Sequence, residues 1–133
     1  MKVRDGMSHT VLTVGPDHTL REVAKAMSSR RVGAAVVHDV DSEGIGIITE
    51  RDVLVAVGAG QDPDSERVRD HLTSELVFAA PTWTLEQAAD AMTRGGFRHL
   101  VVLENGEVTG VLSVRDIVRC WTQERGAQDE LVG

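Results

Sequence analysis

The chain is short of the residues that several common chemistries need. Its single cysteine, Cys120, excludes an internal disulfide and cannot hold a structural zinc alone. No apolar run reaches the length of a membrane span, and the opening Met-Lys-Val-Arg-Asp lacks the apolar core of a signal peptide. The expectation is a soluble, cytoplasmic protein with no membrane partner. Tyrosine is absent and aromatic residues make up 3% of the chain, which leaves few platforms on which single-stranded nucleic acid could stack. Only Arg30 and Arg31 are adjacent basic residues, and a net charge of -7 repels a phosphate backbone, so no nucleic-acid partner is expected. The histidines, at 9, 18, 38, 71 and 99, are scattered without metal-ligand spacing, so no metal is expected. No glycine-rich phosphate loop of Walker type and no nucleophile in a recognisable setting is present, so no catalytic residue is assigned and the chain does not read as an enzyme.

What the chain does have is repetition. Residues 3 to 37 set against 68 to 102 match at Val3, Arg4, Asp5, Pro16, Thr19, Leu20, Ala24, Ala26, Met27, Val36 and Val37. Those are eleven identities where average residue usage gives roughly two or three. After the loss of one loop residue, Gly46, Arg51 and Asp52 match Gly110, Arg115 and Asp116. The chain is a tandem repeat, divided as 1–62 with an N-terminal arm, 63–125, and an aperiodic stretch, 126–133, that reads as a flexible tail.

Each repeat reads as strand, helix, strand, strand, helix, an α/β (α+β) pattern. Extended segments at Val11 to Val14 and Leu76 to Ala79 end at prolines. Thr19 with Glu22 and Thr84 with Gln87 fit capping boxes, so a helix starts after each threonine. Leu20, Val23, Ala24 and Met27, and likewise Leu85, Ala88, Ala89 and Met92, form one apolar stripe per helix and predict burial. The apolar runs Val32 to Val37 and Phe97 to Leu103 lead through turns at Asp41-Ser42-Glu43-Gly44 and Glu104-Asn105-Gly106 into a second strand. The strands Ile45 to Thr49 and Val108 to Ser113 then run into helices carrying Val53, Leu54 and Val57, or Ile117, Val118 and Trp121.

The duplicated stretch 46 to 52, Gly-Ile-Ile-Thr-Glu-Arg-Asp, and 110 to 116, Gly-Val-Leu-Ser-Val-Arg-Asp, marks a strand entering a helix. Free amides and the positive dipole end at such a junction favour an anion. Thr49 or Ser113 can donate a hydroxyl hydrogen to a phosphate, and Asp52 or Asp116 can accept from ribose hydroxyls. Arg51 and Arg115 can clamp a phosphate or lie solvated on the surface. The same Thr-x-x-Asp and Ser-x-x-Asp spacing equally makes a capping box, which any helix in that position can use.

The ordered, duplicated set of arm, strand-helix-strand-strand-helix repeat and Gly-apolar-apolar-Thr/Ser-x-x-Asp junction resembles a tandem pair of CBS domains over about residues 3 to 122. The resemblance implies two β-α-β-β-α repeats packed through their sheets about a pseudo-twofold, often as homodimers. It implies clefts that take AMP, ADP, ATP or S-adenosylmethionine, with no cofactor required, and regulation of an unknown protein in trans. Carried over, the Ser113/Asp116 cleft takes Leu12, Val32 and Gly33 around adenine, with Arg98 and His99 toward the phosphates. The opposite cleft pairs Thr49/Asp52 with Val77 and Phe97. Because Gly33 and Ala34 replace Arg98 and His99 in the first repeat, the Ser113/Asp116 cleft is the one expected to favour a phosphorylated ligand. The alternative is an interaction dimer whose clefts are vestigial.

Overall fold

The computed structural model describes residues 1–39 and 44–132. The element order is α1 (Val3–Gly6), β1 (Thr13–Val14), α2 (Leu20–Arg30), β2 (Ala34–His38), β3 (Ile45–Thr49) and α3 (Glu50–Gly58). A 3₁₀ turn at Val68–Asp70 follows, then β4 (Phe78–Ala79), α4 (Leu85–Gly95), β5 (His99–Glu104), β6 (Glu107–Ser113) and α5 (Val114–Val132). The β-α-β-β-α order is therefore made twice. Residues 41–43 of the expected first turn lie outside the described residues, as does Gly133.

Each repeat builds one three-stranded sheet, ordered β1-β2-β3 and β4-β5-β6, with the middle strand parallel to the first and antiparallel to the third. In β2 and β3, Ala35, Val37 and Ile48 face Leu20, Val23 and Met27 of α2 in one core. Leu100, Val102 and Leu112 do the same with Leu85, Ala88 and Met92 of α4. Val36, Ile47 and Val101, on the opposite sheet faces, are buried as well, which is why the strands read as continuous apolar runs rather than alternating ones. The tight turn after β5 follows its sequence signal: Asn105 (φ 53°) and Gly106 (φ 79°) both take left-handed backbone.

Both predicted helix starts form. Thr19 accepts from the Glu22 amide and Glu22 from the Thr19 amide, at 3.1 Å each, and Thr84 and Gln87 make the same box. The hydrogen bond from the Thr19 amide holds the Glu22 carboxyl below its ordinary value. A lowered folded-state value means the stabilisation from Glu22 is present above about pH 4.3, its unfolded value, and is lost as pH falls through the lowered one. Urea unfolding of wild type and Glu22→Gln should therefore give midpoints that differ at pH 7 and converge as pH falls through the lowered Glu22 value.

The arms end up exchanged relative to the repeats. One compact unit is Val11–Leu76, and the other joins Met1–Thr10 to Val77–Gly133. The units thus do not follow the sequence division at residue 62, because the N-terminal arm is held by the second repeat's sheet and helices. Val3 and Met7 lie in the core with Leu85, Leu112 and Cys120, and Ser8 pairs with Val111 beside β6 through bonds of 2.9 and 3.1 Å. The second arm does the same within the 11–76 unit: Val68 is buried with Leu20, and Thr73 pairs with Ile47 beside β3.

This docking explains the paired glycines. A Cβ on Gly110 would sit 2.7 Å from Met7 Sδ and 2.8 Å from the Ser8 carbonyl, and one on Gly46 would meet Leu72 at 2.9 Å and the Thr73 carbonyl at 3.1 Å. Over the stretch that the sequence reads as an aperiodic tail, α5 continues through Val132. The stretch contains no proline, and Ala, Gln, Glu and Leu are good helix formers that offset one Gly at position 126.

Candidate functional site

Each strand-to-helix junction is assembled by backbone pairing. Ala34 is paired with Thr49, and His99 with Ser113, so the end of each hairpin sets the first residues of the following helix beside the preceding strand. The carbonyl of Gly33 accepts from the Glu50 amide at 2.9 Å, and that of Arg98 from the Val114 amide at 3.0 Å. The structure thereby groups Val32, Gly33, Thr49, Arg51 and Asp52, with Leu12, in the 11–76 unit. It groups Arg98, His99, Ser113, Arg115 and Asp116, with Val77 and Phe97, in the other.

Both carboxylates close back on their own backbone. Asp52 Oδ2 accepts from the Thr49 amide at 2.8 Å and from the Thr49 hydroxyl at 3.0 Å, while the Thr49 hydroxyl accepts from the Asp52 amide at 3.3 Å. Asp116 Oδ2 accepts from the Ser113 amide at 2.8 Å, and the Ser113 hydroxyl accepts from the Asp116 amide at 3.1 Å. The capping function is therefore real at both copies. A carboxylate has two oxygens, however, and the second differs between the copies. Among the described residues no donor reaches Asp52 Oδ1. Asp116 Oδ1 instead accepts from Arg119 at 2.9 Å.

Arg51, Arg98 and Arg115 are exposed and make no ion pair or side-chain hydrogen bond among the described residues, so their guanidinium groups are available to an anion. The wall residues are less uniform. Leu12 lies in the core of the 11–76 unit with Val32 partly buried against it, Phe97 is partly buried against the core of the other unit, and Val77 is exposed.

Arg119 was not among the residues singled out from the sequence. Its signal was available, since Asp116-x-x-Arg119 is an (i, i+3) charge pair on a helix, whereas the matching position in the first repeat is Val55. Two features recur outside the junctions. Leu54 and Val57 on α3 and their counterparts Val118 and Trp121 on α5 are exposed, Leu54 at 71% and Trp121 at 43%. Among the described residues no group of His, Cys, Asp and Glu could hold a metal, and no helix is long and apolar enough to cross a membrane.

A family model described as CBS domain matches the chain twice, at residues 3–59 and 68–122. An uncharacterised 17.7 kDa protein of Acidianus ambivalens is 35% identical over 119 residues, covering 89% of this chain and 71% of its own. Other curated relatives are longer, and the chain spans 41%, 57% and 20% of three of them. A CBS-domain-containing protein of Agrobacterium tumefaciens superposes with a TM-score of 0.80 at 35% identity, covering 89% of this chain and 91% of that one. A CBS domain protein of Pyrobaculum aerophilum, solved in complex with AMP, superposes with a TM-score of 0.78 at 32% identity over 87% of this chain and 89% of that one.

Proposed function

The chain belongs to the CBS-domain family, and on that premise we propose that it is a regulatory module that binds an adenosine nucleotide at its strand-to-helix junctions. It is read as a sensor and not as a catalyst. The observation that carries this reading is the AMP complex of the Pyrobaculum aerophilum protein, a relative 32% identical over 87% of the chain. The chemistry of the junctions agrees with it. Each offers a hydroxyl, a carboxylate and an exposed arginine at a helix N-terminus, the groups that a phosphorylated diol requires.

In this reading AMP, ADP, ATP and S-adenosylmethionine are the ligands to compare. Ser113, or Thr49 once its hydroxyl hydrogen turns away from Asp52, holds the phosphates with Arg115 or Arg51, Asp52 or Asp116 takes the ribose, and Arg98 and His99 add positive or polar character at the later copy. Val32, Gly33, Phe97 and Val77 are the adenine contacts proposed from the family pattern. Binding alters the partner protein only to the extent that ligand affinity differs between two states of the module. Calorimetric titration of the intact chain with the four compounds tests the proposal. A saturable heat with at least one is expected, and no heat with any of them would remove the nucleotide reading.

A second reading, an interaction dimer without ligand, draws on the two carboxylates closed into caps and on the exposed apolar pairs. We propose self-association through Leu54 and Val57 and through Val118 and Trp121, because apolar side chains repeated at the same register on two helices are better buried than solvated. Light scattering on the eluting peak should give a dimer mass for wild type and a monomer mass for Trp121→Glu with Leu54→Glu. A monomeric wild type would dismiss self-association and leave nucleotide binding to be judged separately.

A further inference from the structure

The two arms meet the same need with different side chains, and the difference falls on the candidate site. In the 11–76 unit, Arg69 is ion-paired with Asp17, and Arg67 donates to the Asp17 carbonyl at 2.7 Å, so surface charges outside the junction fasten the second arm. The first arm has the matching arginine, Arg4, but Thr82 stands where Asp17 would be, and Arg4 has no carboxylate partner among the described residues. Arg119 takes over. Its guanidinium donates to the Gly6 carbonyl at 3.0 Å and to Asp116 Oδ1 at 2.9 Å, spanning arm and junction.

The matching position in the first repeat, Val55, can make neither bond. Asp116 is thus engaged through both oxygens, and its side chain is only 15% exposed, whereas Asp52 keeps Oδ1 without a donor.

We propose that Arg119 is a positioning residue that makes Asp116 the anchor of the N-terminal arm and leaves the Thr49/Asp52 copy as the one open to nucleotide. The inference rests on the nucleotide reading only for its second half; the arm anchor stands on geometry alone. A ligand that takes Asp116 competes with a charge-assisted pair whose guanidinium also holds the arm at Gly6. The neighbouring Arg98 and His99 attract phosphate to the later copy, but the ribose acceptor there is already engaged. Occupancy of that copy would therefore be coupled to release of the arm.

Amide hydrogen exchange and AMP calorimetry on the intact chain and on Arg119→Val, the residue the first repeat carries, test this. Arg119 is half exposed, so the variant is expected to fold. The proposal expects exchange of the Met7 and Ser8 amides to quicken about tenfold in Arg119→Val, as loss of a charge-assisted bond implies. It expects AMP sites to rise from one per chain in wild type to two in Arg119→Val, while Arg119→Lys, which keeps the charge but not the fork, gives an arm exchange rate between the two. Unchanged arm exchange in Arg119→Val would overturn the anchor. Two AMP sites in wild type, or an unchanged site number in the variant, would overturn the closure of the later copy. If no form of the protein binds AMP, the nucleotide reading and the assignment of an open copy fail together, and arm exchange still decides the anchor.

Discussion

Gly110→Val is expected to destabilise the protein by about 3 kcal/mol or more, a fall in Tm of roughly 10 °C for a chain of this size. The added side chain would overlap the Ser8 carbonyl, which is backbone, as well as Met7 Sδ, so a rotamer change alone cannot relieve it. The arm must move off β6, and with it go Val3 and Met7, both buried. Exposing two such side chains costs about 1.5 to 3 kcal/mol each, and the paired amide and carbonyl of Ser8 lose their partners at Val111. The control is Gly126→Ala: no atom lies within 4 Å of a Cβ there, and the position is helical. That variant should be neutral or gain up to about 1 kcal/mol. Guanidinium titrations of the two variants measure both effects, and equal midpoints would mean that the arm contributes little to stability.

Asp52→Asn should weaken AMP binding by about 100-fold while changing stability by less than about 1 kcal/mol. Asparagine keeps a carbonyl oxygen that can accept from the Thr49 amide, so the cap survives in form. What is lost is the charge and the second acceptor, Oδ1, which has no protein donor and is the atom proposed for the ribose diol. Hydrogen bonds to a charged group are worth about 1.5 to 3 kcal/mol, and 100-fold corresponds to about 2.7 kcal/mol. Asp116→Asn should instead leave the first AMP site near its wild-type affinity and quicken exchange in the arm. An AMP affinity within about threefold of wild type for Asp52→Asn would move the ribose contact elsewhere.

Much of the fold was legible in the sequence, for local reasons. Thr19 and Thr84 cap helices because hydroxyl and Glu or Gln three residues on satisfy amides within one turn, and Asn105-Gly106 turns because both residues tolerate left-handed backbone. The apolar stripes of α2 and α4 are buried at Leu20, Val23 and Met27 and at Leu85, Ala88 and Met92. The opening strands were expected over four residues and form over two, Thr13–Val14 and Phe78–Ala79. The docking of each arm was not legible. A repeat offset pairs Val3 with Val68 but does not say which sheet either arm joins, because the pairings of Ser8 with Val111 and of Thr73 with Ile47 are long-range and made by backbone.

The candidate site was legible in kind but not in balance. Thr49-x-x-Asp52 and Ser113-x-x-Asp116 were visible as duplicated junctions, and Arg98 with His99 pointed to the later copy. The opposing term came from Arg119, whose link to Gly6 spans most of the chain's length and has no sequence signature beyond its spacing from Asp116. Gly46 and Gly110 were visible as matched positions, but their reason, an arm carbonyl passing within 3.1 and 2.8 Å of a Cβ, is a tertiary fact.

The most direct measurement is an amide-resolved NMR titration of the intact chain with AMP. The account predicts saturable shifts at the amides of Thr49 to Asp52, with those of Ser113 to Asp116 and of the arm unmoved at AMP concentrations that saturate the first copy. Saturable shifts at Ser113 to Asp116 alongside or ahead of Thr49 to Asp52, or no shifts at either junction, would contradict it.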